Sequence, residues 1–330
     1  MATLHDISLR TGVSVTTISR VLNHDKTMAV SKETSRAIFA AAFELGYVSP
    51  RKRRQSKEKH LTIAVADWHI IADGCPNVNI STLRYYAEIE APLVAVDFIQ
   101  LGRTDTAEVN GIIAFGDFSE HEIDHMREIS PYIVFVDSNR TDFTYDRVLL
   151  EQELAMKQAL DYLLYTKKHK IIGYIGGLFH QEGFSIGMRR MQNVVSMLMN
   201  QQLYIPELVK TGQFTPDAGY QMASQMISSP MKPEGLIVGS DVIASGVLRA
   251  LKEYKISLPE DMSLVIYKDI ETVALPEGNY AVVQVYPDLV WQKAVQMLLE
   301  RINGRTEAVR IVLSPKLVLK NPDTNSKVDV

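Results

Sequence analysis

From Leu61 onward, short apolar runs alternate with amphipathic stretches. The runs Leu61–Ala66, Leu93–Phe98, Gly111–Phe115, Ile133–Val136 and Arg147–Leu150 have the length and continuous apolarity of strands buried on both faces. Between several of them lie helical patterns at Ser81–Glu90, Glu120–Ile129 and Glu151–Lys167. Strand, helix, strand in this order predicts a parallel sheet covered on both sides. The same rhythm then repeats. Strands are expected at Ile171–Ile175, Leu208–Thr211, Gly235–Gly239, Leu264–Tyr267 and Val282–Tyr286, with helices at Ser185–Asn200, Asp217–Ile227, Asp241–Lys252 and Asp288–Asn303. Two closing strands, Val309–Leu313 and Lys316–Leu319, precede a polar tail, 321–330, that carries no heptads. Two similar lobes are the natural reading.

The chain before Leu61 has a different pattern. Thr3–Thr11 and Val15–Leu22 read as two short helices joined by a tight turn, with Gly12 suited to a left-handed closing position and Ser14 to capping the next helix. Ile7, Val13, Ile18, Val21 and Leu22 fall where they can pack together. Val15, Thr16, Thr17, Ser19 and Arg20 are left outside, and Asn23 follows at the end of the helix. Small and hydroxyl side chains on a first turn, followed by one arginine, suit a helix that enters the major groove of DNA. A third helix is expected over Val30–Gly46, capped by Ser31, with Ile38, Phe39, Ala42 and Leu45 as its apolar side.

Charge sharpens this picture. The chain of 330 residues carries a formal −4, yet its first 60 residues hold 11 Lys/Arg against 5 Asp/Glu, a local +6 that leaves −10 on the remainder. A basic start on an acidic body confines the phosphate-attracting field to one end. Residues 49–60, with Arg51, Lys52, Arg53 and Arg54, form a basic linker by composition. The lone Cys75 excludes an intrachain disulfide and a multi-cysteine metal site. No secretory signal pattern and no apolar run of membrane-spanning length is present, so a cytoplasmic protein is expected.

The opening from Ala2 to Asn23 resembles the headpiece of the lactose/galactose repressor (LacI/GalR) family. Further motifs extend the resemblance along most of the chain: Ile172-Gly173-Tyr174-Ile175-Gly176-Gly177, Gly212 to Tyr220, Ser240 to Leu248, and Leu258 to Asp269. It implies an all-α helix-turn-helix headpiece (1–48) joined through the hinge 49–60 to an α/β periplasmic-binding-protein-like core of two doubly wound parallel-sheet lobes (61–320). It also implies a homodimer reading a roughly palindromic operator in double-stranded DNA, with an effector in the interlobe cleft. The family hinge commonly carries a leucine that wedges between bases, and none occurs between Leu45 and Leu61. Phosphate-directed or arginine-in-groove binding with less wedge-driven bending is therefore expected, with Arg51, Lys52, Arg53 and Arg54 supplying mostly backbone attraction.

By motif match, Arg190 corresponds to the family's hydroxyl-gripping arginine, Phe214 to an aromatic wall, and Asp241 to the acid at the start of a helix. Lys268 stands where the family usually has a ligand-directed acid, which motivates a phosphorylated or acidic effector as well as a neutral carbohydrate. Arg84, in the weakly matched first lobe, is a further effector candidate or a solvated helix residue. His121 and His125 have the spacing for a metal, but no third ligand is evident and a solvated helix explains them. No cofactor is expected, and no catalytic constellation identifies itself. The expected function is a repressor of carbohydrate-utilisation genes. A regulator with a degenerate cleft, one governed by a phosphocarrier protein, and a sugar-binding or sugar-modifying protein remain as rivals.

Overall fold

The computed structural model describes residues 2–23, 25, 27, 29–47, 60–68, 78, 80–92, 94–101, 108–138, 144–181, 184–269, 275–285 and 287–320. Arg51, Lys52, Arg53, Arg54, Cys75 and the tail 321–330 lie outside the described residues. The chain divides into two compact units. Unit 1 comprises Met1–Gly116, His121–Val148 and Asp288–Arg310, and unit 2 comprises Asp117–Glu120, Leu149–Pro287 and Ile311–Val330.

Unit 1 begins with α1 (Leu4–Thr11), α2 (Val15–Leu22) and α3 (Lys32–Glu44). The third helix is shorter than its apolar pattern predicts because Ser31, in extended backbone, accepts the Thr34 N–H and fixes the start at Lys32. The first sheet takes β1 (His60–Asp67), β2 (Ala95–Gln100), β3 (Gly111–Phe115), β4 (Ile133–Val136) and β5 (Asp146–Leu150), with β13 (Arg310–Leu313) beside β5; β5 after Val148 and β13 after Arg310 are counted with unit 2. Its order is β13-β5-β4-β3-β1-β2. Strand β2 lies two residues beyond the apolar run that predicts it, because its register follows the parallel partner, from His60 opposite Ala95 to Val65 opposite Gln100. Local apolarity misplaces an edge strand whose position its neighbour decides. Helices α4 (Ile80–Glu90), α5 (Glu120–Ile129) and α10 (Pro287–Ile302) accompany these strands in the chain.

A buried carboxylate pins the far edge of this sheet. Asp146, on β5, is fully buried. Its Oδ1 accepts from Arg305 Nη1 at 3.0 Å and from the Val309 N–H at 2.7 Å, and its Oδ2 accepts from Arg305 Nη2. The Arg147 N–H also donates to Val309 O at 3.0 Å. Two stretches of chain adjoining points where it passes between the units, after Val148 and after Arg310, are thus tied together inside unit 1.

Unit 2 repeats the plan with β6 (Ile172–Gly177), β9 (Val209–Gly212), β10 (Gly235–Val238), β11 (Ser263–Tyr267), β12 (Tyr280–Gln284) and β14 (Lys316–Lys320), ordered β14-β12-β11-β10-β6-β9. Helices α6 (Gln152–Asp161), α7 (Met188–Asn200), α8 (Pro216–Ser228) and α9 (Asp241–Glu253) intervene. In both sheets the first strand lies between the second and the third. This arrangement puts a topological switch point between β1 and β3 in one unit and between β6 and β10 in the other. Strands β3, β4, β10 and β11 are buried throughout, as the continuous apolar runs require.

Two expected helices differ. The helix expected from Ser185 starts at Met188, because Phe179–Gln181 and Phe184–Ile186 pair as an antiparallel ribbon, β7 and β8, and Gly187 then turns the chain at φ 83°. A Cβ there would also stand 1.9 Å from Gly177 O, so only glycine fits. The helix expected over Glu151–Lys167 is α6 followed by a π-turn, Tyr162–Thr166. Beyond it Lys168 sits in the left-handed region at φ 61°. Lys168→Gly is expected to raise the urea midpoint of unit 2, stabilising it by about 0.5–1 kcal/mol, since glycine bears no Cβ penalty there. An unchanged or lowered midpoint would show that the lysine side chain offsets the strain.

Candidate nucleic-acid interface and ligand site

The headpiece is built by caps and a very small core. Thr3 and Asp6 cap α1 reciprocally: the Thr3 N–H donates to the Asp6 carboxylate at 2.8 Å and the Asp6 N–H to Thr3 Oγ1 at 3.3 Å. Gly12, at φ 70°, ends α1, and Ser14 opens α2 by accepting the Thr17 N–H at 3.2 Å. Ser8 Oγ donates to Val13 O at 2.7 Å and closes the turn from inside. Ile7, Ile18 and Ile38 are fully buried, joined by Ala41 and Ala42, with Leu4, Val13, Val21, Leu22, Leu45 and Tyr47 packed around them. Phe39 departs from its expected place in this core: it faces outward, where its ring meets Tyr85 of α4.

The reading helix is α2, and its outer residues are not equivalent. Val15 and Thr16 are exposed on its first turn. The Thr17 hydroxyl lies 2.8 Å from Ser14 Oγ, within the cap. Ser19 O accepts from Asn23 Nδ2 at 2.8 Å, so Asn23 closes the end of the helix. Arg20 donates from Nε to Asp25 at 2.7 Å and from Nη2 to Thr27 Oγ1 at 2.8 Å. Hydrogen bonds from Thr27 and Arg20 hold the Asp25 carboxyl down at about 2. Arg20 is thereby oriented before any nucleic acid is present.

In unit 2 several candidates gather at the carboxyl ends of the strands around the switch point, where open α/β sheets place their ligands. Arg190, near the start of α7, is 6% exposed. Its Nη1 donates to Asp269 Oδ1 at 2.9 Å and to Gly239 O, and its guanidinium lies 4.6 Å from the Tyr267 ring centroid. Burial pushes the Tyr174 phenol up to about 12, with Arg190 pulling it down and Asp269 pushing it up. Phe214 crowds the glycine-lined ends of β6 and α7: a Cβ on Gly177 would meet its ring at 2.5 Å. Asp241, fully buried, stands in the first turn of α9, where a carboxylate also favours the helix dipole.

Lys268 and Arg84 complete the candidates named from the sequence. Tyr267, the last residue of β11, and Asp269 just beyond it both meet Arg190, while the Lys268 N–H between them donates to Val283 O at 3.0 Å. Burial, together with the charge of Lys268, depresses the Lys320 ammonium. Arg84 belongs to unit 1, with its guanidinium 3.6 Å over the Phe43 ring of α3. The motif match does not single out Tyr174, Tyr267 and Asp269, although all three lie inside the motifs that carry the resemblance.

A helix-turn-helix headpiece followed by two switch-point sheets defines a DNA-binding regulator carried on a periplasmic-binding-protein-like body. Residues 3–49 match the model for bacterial regulatory proteins of the lacI family, and residues 162–321 match that for a periplasmic binding protein-like domain. The chain belongs to the lacI family of bacterial regulatory proteins, and it is a DNA-binding transcription regulator. It is 29% identical over 314 residues to the HTH-type transcriptional regulator GalR of Lacticaseibacillus casei, covering 92% of this chain and 93% of that one. Its fold is similar to that of the transcriptional regulator CelR in complex with cellobiose, with a TM-score of 0.62, 21% identity, and coverage of 97% and 99% of the two chains. It is also similar to the Lac repressor dimer bound to operator and the anti-inducer ONPF, with a TM-score of 0.61, 21% identity, and coverage of 97% and 98%. Among the described residues no helix is long and apolar enough to cross a membrane.

Proposed function

We infer that the protein is a cytoplasmic, homodimeric repressor of carbohydrate-utilisation genes, controlled by a small neutral carbohydrate at the strand ends of unit 2. The observation that carries the effector reading is the ion pair of the buried Arg190 with the partly buried Asp269, on the face of Tyr267. A guanidinium beside a carboxylate offers donors and acceptors to adjacent hydroxyls, and an aromatic face suits the carbon face of a sugar ring. Because Asp269 already balances the Arg190 charge, a neutral ligand fits better than a phosphorylated one. Val15 and Thr16 supply base contacts, Arg20 is the oriented arginine beside them, and Arg51, Lys52, Arg53 and Arg54 supply attraction to phosphates. The Lac repressor relative is a dimer on its operator, and the CelR relative holds cellobiose, in line with this reading.

The test uses a duplex selected from a randomised library by the full-length protein. Its binding is titrated at fixed salt with galactose, β-galactosides, other neutral sugars and their phosphates. One neutral sugar is expected to change duplex affinity and raise the melting temperature. Arg190→Met should weaken that ligand by roughly 10- to 100-fold, the loss of a charged hydrogen bond at a buried site. A response to sugar phosphates alone would overturn the neutral-ligand reading. Tight DNA binding indifferent to every sugar would replace it with a constitutive regulator, or with one governed by a protein such as a phosphocarrier.

A further inference from the structure

The headpiece does not hang free of the first lobe. Arg36, on the outer side of α3, donates from Nη2 to Tyr86 Oη at 2.9 Å and forms an ion pair with Asp288 at the start of α10, 252 residues away in sequence. Its guanidinium carbon lies 5.5 Å from the ring centroids of both Tyr85 and Tyr86, and Phe39 meets Tyr85 edge to face at 5.6 Å. Arg84 reaches in the opposite direction, from α4 onto Phe43 of α3. About two thirds of the Arg36 and Asp288 side chains is covered. Beside these contacts a cavity of about 260 Å³ stays open, lined by Leu22, Phe43, Tyr47, Arg84, Tyr85 and Glu88 among others. A few polar and aromatic contacts around an unfilled space make a joint that can separate, unlike a packed core.

We propose that Arg36, Tyr86 and Asp288 form a latch that docks the headpiece on the first lobe in its operator-competent pose. The docked side is α3, so Val15 and Thr16 on the first turn of α2 remain exposed. Docking therefore orients the reading helix without covering it, and reduces the freedom that two headpieces lose when they bind one duplex. Asp288 is also the residue at which the chain re-enters unit 1 after Pro287, so the latch ties the DNA-binding helices to a crossing segment from unit 2. The proposal rests on the headpiece being the DNA-binding element, and wild-type duplex binding checks that separately.

The experiment is a double-mutant cycle on duplex affinity at several salt concentrations, using Arg36→Met, Asp288→Asn and the pair, with Arg36→Lys as a milder variant. Each single substitution is expected to weaken binding about 5- to 10-fold through lost preorganisation. The pair should be no weaker than the weaker single variant, Arg36→Lys should be intermediate, and the slope of log affinity against log salt should stay unchanged. Tryptophan-monitored unfolding of each variant confirms that the lobe is intact. If Arg36→Met weakens binding and flattens the salt slope while Asp288→Asn has no effect, Arg36 is a phosphate contact and the latch is overturned. Unchanged or tighter binding in both single variants overturns it equally.

Discussion

Asp146→Ala is expected to destabilise unit 1 by about 3–5 kcal/mol, because it leaves the Arg305 guanidinium and the Val309 N–H facing a space their partner has vacated. The carboxylate is fully buried, while Arg305 also keeps Glu300 at 3.0 Å, so the arginine retains only part of its compensation. The measurement is direct, since the chain has two tryptophans, Trp68 and Trp291, and both belong to unit 1. Their fluorescence in urea reports this unit without interference from unit 2. Replacing both partners, Asp146→Leu with Arg305→Met, should cost much less than the single change, since no buried charge is then orphaned. If Asp146→Ala shifts the tryptophan transition by less than about 1 kcal/mol, water reaches the arginine and the pin is a surface ion pair in its energetics.

Ile18→Ala should abolish specific DNA binding while leaving the tryptophan transition in place. Ile18 is fully buried at the centre of the headpiece, and truncating a core isoleucine to alanine costs about 2–5 kcal/mol. Three short helices bury too little surface to hold much more than that. Affinity for the selected duplex, measured by fluorescence anisotropy, is therefore expected to fall more than about 100-fold, as the folded headpiece becomes a minor species. Binding within about threefold of wild type would mean that docking of α3 on α4, and not the Ile7–Ile18–Ile38 core, supplies most of the headpiece's stability.

Some of this protein could be read directly from its sequence, for reasons of range. Gly12, Ser14 and Ser31 act within a few residues of themselves, so the helix-turn-helix and the cap of α3 follow from local chemistry. Continuous apolar runs mark strands covered on both faces, and β3, β4, β10 and β11 are buried as those runs demand. The basic linker and the acidic body are likewise matters of composition.

Partners far apart in the chain decided the rest. The edge strand β2 takes its register from β1, whatever its own apolar residues suggest. Phe39 fits the apolar side of α3 by spacing alone, yet the first lobe offers Tyr85, and the ring turns to it. At the candidate ligand site, Lys268 is the departure from the family motif that points to an acidic or phosphorylated effector. The fold brings Tyr267, at the end of β11, and Asp269, just beyond it, to Arg190 of α7. Arg36 and Asp288 show the limit most plainly: nothing in either local sequence announces the other, and only the folding of α3, α4 and α10 into one unit brings guanidinium and carboxylate together. Sequence determined which segments become helices, strands and a basic arm, since those choices depend on neighbours a few residues away. Tertiary structure decided which charged groups are paired and which residues meet the arginine, since those depend on distances that the order of residues does not contain.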